Sequence, residues 1–197
     1  MAKRRKRPIY EFKPDAEGVP LLKQLHLTQL QRRHLLRWTL HALVCLLLLI
    51  VQDVIMSRVS IRGATTDLVP MAILLITVVA DVYEGSLFAI VASTFYVFSG
   101  SAPGPWAIAY ITVLGIAAAI FRQTWWRRGF RSHLLCAGLA LLGYELAVYG
   151  TGIFLGLTYW SRVGVFLMTA LLSFAVMAAL YPLIRRIHLI GGEVWKE

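Results

Sequence analysis

The chain has 197 residues, 58% of them hydrophobic, with a mean hydropathy of +0.68 and a formal net charge of +10. Soluble domains carry about 45–50% apolar residues, so a water-soluble domain is excluded and the class is an all-α polytopic membrane protein. The basic residues sit beside hydrophobic runs, which makes an anionic lipid surface the expected counterpart and disfavours nucleic acid.

Residues 1–37 form a basic tail that holds ten of the twenty Lys and Arg residues, with Pro8, Pro14 and Pro20 along it. Leu21, Leu22 and Leu25 are compatible with a short helix lying on the membrane surface. Thr28 and Gln31 have capping-box spacing, so the first helix is expected to start before the membrane. No small-residue cleavage site follows the first apolar run, so that helix is expected to stay in place.

The transmembrane domain is expected over 38–184, with apolar runs at 38–56, 66–80, 86–99, 104–121, 133–156 and 163–184, followed by a short tail at 185–197. The run 66–99 is interrupted by "DVYEG". As one helix it would be about 50 Å long at 1.5 Å per residue, against a hydrocarbon core of about 30 Å. Two short helices are therefore expected, with Gly85 supplying a left-handed turn. Thr66 or Asp67 is placed to cap the second helix, and Pro70 falls in its first turn, where a missing N–H costs little.

Six spans with both termini inside put ten, none, four and three Lys/Arg on the inner segments, and leave Arg58, Arg62 and Arg162 outside. That is the positive-inside pattern. A five-span chain would carry Arg122, Arg127, Arg128 and Arg131 to the outer face. Trp125 and Trp126 are expected at the inner interface. Cys45 and Cys136 are isolated in apolar runs and lack disulfide or zinc spacing.

Glu145 is the sharpest single residue, because a charge in mid-span costs at least a few kcal/mol. Its readings are a ligand or partner contact, a proton site, or an interhelical hydrogen bond with Tyr144, Tyr149 or His41. Asp53, beside Gln52, is expected to be solvated at the interface or paired with Arg58. Asp81 and Glu84 are expected to be solvated at their turn, on a face open to a partner. His41 reads as a packing residue. Gly152 and Gly156 have G-xxx-G spacing, and Gly143 with Ala147 is a similar small pair; these, with Pro70 and Gly85, are expected to serve helix packing. "SGSAPGPWA" reads as a short, stiff turn. No phosphate-binding glycine loop, H-E-x-x-H, G-x-S-x-G or Cys/His cluster is present. No catalytic set, metal or cofactor is therefore expected.

From Gln52 to Gly104 the chain resembles the rod-shape-determining protein MreD family. The likeness rests on Gln52 in "IVQDVI", Gly63 in "IRGATTDLVP", Pro70, Glu84–Gly85 in "DVYEGSLFA" and the glycines of "SGSAPGPWA". It covers about a quarter of the chain by motif. The family's third helix usually carries glycines and an aspartate, which "SLFAIVASTFYVF" lacks, and Asp67 here precedes Pro70 instead of following it. The resemblance implies a non-catalytic scaffold in the bacterial cytoplasmic membrane. Such a protein binds MreC and helps couple MreB filaments to the peptidoglycan glycosyltransferase and transpeptidase of the elongation complex. It also implies a bundle like the S components of energy-coupling-factor vitamin transporters, and such a component is the alternative reading. Against that alternative, the A-x-x-x-A docking pattern is missing from the first helix, where Ala42 is followed four residues on by Leu46.

Overall fold

The computed structural model describes residues 29–55, 58, 63–125 and 129–190. The tail with Leu21, Leu22, Leu25 and Thr28, together with Arg62, Trp126, Arg127, Arg128 and residues 191–197, lies outside the described residues. Within them the chain is all-α. The helices are α1 (Gln29–Val54), α2 (Leu68–Val79), α3 (Val82–Phe98), α4 (Trp106–Trp125), α5 (Phe130–Phe154) and α6 (Val163–His188), with a 3-10 turn at Trp160–Arg162 leading into α6.

Helices α1, α4, α5 and α6 contain stretches long and apolar enough to cross a membrane. α2 and α3 are apolar but shorter, at 12 and 17 residues. Large apolar side chains are exposed on five of the helices, among them Leu43 and Leu46 of α1, Phe95 of α3, Val113 of α4, Leu139 of α5 and Leu171 of α6. An apolar exterior of this extent is a lipid-facing surface.

α2 is the exception. Its sequence, LVPMAILLITVV, carries no charge, and every one of its residues is buried. A helix that is apolar all round needs apolar neighbours all round, and α2 finds them in protein instead of lipid. It packs against α1, α3, α4, α5 and α6, while those five close a ring through α1–α3, α3–α4, α4–α5, α5–α6 and α6–α1. The architecture is a five-helix ring around a buried sixth helix.

At 1.5 Å per residue α2 is about 18 Å long, well short of a ~30 Å hydrocarbon core. It also starts deep in the bundle. The backbone N–H of Asp67, the residue before it, meets Ser173, ten residues into α6. That places the start of α2 about 15 Å below the adjacent end of α6. The segment entering α2 is therefore non-helical backbone at depth; Ala64 on it is only 1% exposed, Thr66 and Asp67 are half-buried, and Gly63 and Thr65 are exposed.

The long apolar run is indeed two helices. The break falls at Ala80 and Asp81, whose backbones are extended (φ −70°, ψ 170° and φ −69°, ψ 153°). Gly85 does not supply a left-handed turn, because two extended residues already reverse the chain and Gly85 lies inside α3. Its role is close approach: a Cβ there would stand 2.5 Å from the Thr77 carbonyl oxygen of α2. Other glycines serve the same end. A Cβ on Gly143 would meet Leu114 at 3.3 Å, and one on Gly115 would meet Thr77 at 3.2 Å. The G-xxx-G pair does not pack two helices together. Gly152 faces Thr158 in the following turn, and Gly156 lies beyond α5 at φ +71° with open space around it.

Gly85→Val should lower the thermal midpoint of the detergent-solubilised protein, at a cost of about 1–3 kcal/mol from overpacking. Gly164→Val, at a helical position with nothing within 4 Å of a Cβ, should stay within about 0.5 kcal/mol. Thermal unfolding of the two variants side by side checks this, and equal losses would contradict the close contact at Gly85.

Candidate functional site

A helix leaves its first N–H groups and last C=O groups without intrahelical partners. In a membrane interior no bulk water satisfies them. Both ends of α2 are buried, so both must be met by side chains from the ring.

At the C-terminal end of α2 the partner is Arg122 of α4, only 7% exposed. Its guanidinium donates to the carbonyls of Val79 at 3.4 Å and Ala80 at 3.2 Å. A cation at this position also complements the negative end of the helix dipole. Arg122 further contacts His133 Nε2 at 2.7 Å, while His133 Nδ1 meets the Gly129 carbonyl at 2.6 Å. Since a carbonyl only accepts, the imidazole proton sits on Nδ1, and Nε2 accepts from the guanidinium. Sequence reasoning placed Arg122 just past the apolar run at 104–121, in the inner segment before the next run. The helix instead continues past the apolar run and carries Arg122 inside.

The same end holds Glu84, in the first turn of α3. It is ion-paired with Arg37 of α1 and lies 3.7 Å from His34 Nδ1. Glu84 is therefore engaged by α1, not simply solvated at a turn, whereas Asp81 is exposed at the N-cap of α3 and makes no side-chain cap bond. Arg37, His41, Glu84 and His188 line a cleft of about 10 Å³, the size of about one water molecule. His41 packs edge-on to Phe88, with Nε2 buried and making no hydrogen bond among the described residues.

At the N-terminal end of α2 neither Thr66 nor Asp67 caps the helix; Asp67 occupies the N-cap without a side-chain cap bond. The caps come from other helices. Gln52 Oε1 of α1 accepts from the Val69 N–H at 2.9 Å, and Ser173 Oγ of α6 accepts from the Asp67 N–H at 2.9 Å. Gln52 Nε2 reaches the Tyr96 hydroxyl at 3.5 Å, which donates to the Ser101 carbonyl at 3.2 Å. Asp53 accepts from the Ser101 hydroxyl at 2.8 Å, which ties α1 to the loop after α3. Pro70 sits buried in the first turn of α2, as its missing N–H allows.

Glu145 is 3% exposed. Its carboxyl is turned onto that of Asp67, within hydrogen-bonding reach. Neither Tyr149 nor His41 is its partner: the Tyr149 hydroxyl donates to the Trp160 carbonyl at 3.0 Å, and His41 lies at the other end, lining the cleft with Glu84. Tyr144 is fully buried beside Tyr96 and near both carboxyls. Among the described residues, the Tyr144 hydroxyl and Glu145 Oε1 make no well-formed hydrogen bond. No group of three or more His, Cys, Asp and Glu residues suited to a metal ion occurs among the described residues.

The arrangement therefore has two polar ends, each built on a terminus of α2. Sequence reasoning singled out Gln52, Glu84 and Glu145 but missed Arg122, Ser173 and the role of Asp67. No family model, curated protein or solved structure matches the chain.

Gln52→Leu should cost about 1–3 kcal/mol by stranding the Val69 N–H, and Arg122→Met should cost at least as much by stranding two carbonyls. The ends are about 18 Å apart, so the double variant should be additive within about 0.5 kcal/mol. Thermal unfolding in detergent checks this, and a neutral Gln52→Leu would remove the capping role.

Proposed function

We propose that this protein is a non-catalytic membrane scaffold of the bacterial cell-elongation machinery, of the MreD type. In this reading it has six spans in the cytoplasmic membrane, with both termini inside. It holds MreC and helps couple MreB filaments to the peptidoglycan glycosyltransferase and transpeptidase.

One observation carries the reading. Four of the residues on which the resemblance rests hold α2 and its neighbours together. Gln52 caps α2, Pro70 opens it, Gly85 lets α3 approach it, and Glu84 ties α3 to α1. A motif set with one mechanical purpose argues for a shared fold more strongly than the same residues scattered would.

The topology has its own support. Arg32, Arg33 and Arg37 of α1, Arg122 of α4, Arg131 of α5, and Arg185 and Arg186 of α6 belong to helix ends that gather at the Glu84 end of the bundle. That end is the expected cytoplasmic one, where the arginines also meet anionic lipid headgroups. α2 can cross without the usual length because it never meets lipid. Gln52, Ser173 and Arg122 are committed to holding α2, which leaves the apolar helix faces and the basic end as the surfaces for partners.

The test is affinity purification of the tagged full-length protein in mild detergent. MreC and the cell-wall synthases should be recovered with it. Recovery of a bound vitamin with an ATPase pair, and without MreC, would overturn the scaffold reading in favour of an S component.

A further inference from the structure

Asp67 and Glu145 raise a question that capping does not answer. Two ionised carboxylates repel one another and cannot hydrogen-bond, since each only accepts. Yet these two groups, from the N-cap of α2 and the middle of α5, lie within hydrogen-bonding reach. Glu145 is nine residues from the end of α5, so the contact is about 14 Å below that end. Among the described residues, those that interact with the pair bring no positive charge. α1 presents Gln52 and α3 presents Tyr96; α5 adds Tyr144 and α6 Ser173. The ion pairs among the described residues are at the opposite end, on Glu84. A doubly ionised pair at this depth would be costly.

We propose that the buried Glu145 and the half-buried Asp67 form a proton-binding site in which one proton is shared between the two carboxyl groups and locks α2 to α5. One shared proton turns the repulsion into a hydrogen bond between a carboxylic acid and a carboxylate, which is stronger than a neutral one. The remaining negative charge faces the N-terminus of α2, where the helix dipole favours it. The Tyr144 hydroxyl, fully buried, interacts with Tyr96 and lies near both carboxyls. The site is independent of the scaffold reading, since it concerns the state of the core and not the partner.

Infrared spectroscopy of the purified full-length protein in lipid nanodiscs tests it. At neutral pH the wild type should show a protonated-carboxyl stretch that shifts in D2O. Glu145→Gln should abolish that band while keeping the thermal midpoint within a few degrees, because its amide donates to Asp67 as the shared proton did. Glu145→Ala should lose both band and stability. The thermal midpoint of the wild type should be the same in sodium and in choline chloride. Absence of the band from the wild type at neutral pH would overturn the proposal, whether or not the variants fold. So would a band that survives in Glu145→Gln. A sodium-dependent rise in midpoint that Glu145→Gln removes would assign the site to a sodium ion and also overturn it.

Discussion

A buried helix in a membrane protein must have its end groups satisfied by protein, and that constraint organises this fold. α2 is too short to span the bilayer, with its N-terminal end deep in the bundle. Its side chains are content anywhere in the bilayer, but its terminal N–H and C=O groups are not. The ring answers with side chains of matching character. Acceptors, Gln52 Oε1 and Ser173 Oγ, stand at the N-terminal end, and the donor Arg122 stands at the C-terminal end. Those three residues come from α1, α6 and α4, so capping one helix fixes the positions of three others.

Between the ends, cohesion comes from shape. Lipid is as apolar as leucine, so burying apolar side chains among helices gains little from the hydrophobic effect, and close packing must do the work. The small residues lie where this demands them. Gly85 and Gly115 both approach Thr77 of α2, and a Cβ on Gly138 of α5 would stand 2.5 Å from the Phe174 ring of α6. The outward faces of the ring stay apolar and generic, which suits surfaces that meet lipid along most of their length and a partner helix along some of it.

Much of this was legible in the sequence because hydropathy and length carry it. The six apolar runs correspond to six helices, and the length argument over 66–99 placed a break within a few residues of Ala80–Asp81. What sequence could not supply was depth. Asp67 looked like an interfacial cap because it borders an apolar run. Only the descent of the 63–67 segment into the bundle brings it to Glu145. Arg122 looked like a loop residue for the same reason, since the end of an apolar run is not the end of its helix. Gly85 was expected both to turn the chain and to pack, and its value is the packing, since the α2 backbone at Thr77 stands where a Cβ would be. Glu145 stood out correctly, because mid-span charge is unusual in any topology, but its partner belonged to another element.

The most direct measurement of the central position of α2 is photolabelling from the lipid phase. The full-length protein would be reconstituted with a lipid carrying a photoactivated carbene on its acyl chain, and the labelled residues mapped by peptide mass spectrometry. Label should fall on the exposed apolar faces, at Leu43 and Leu46 of α1 and Leu139 of α5, and segment 68–79 should be unlabelled although it is among the most apolar in the chain. Labelling of 68–79 as strong as that of α1 would place α2 against lipid and contradict the ring around it.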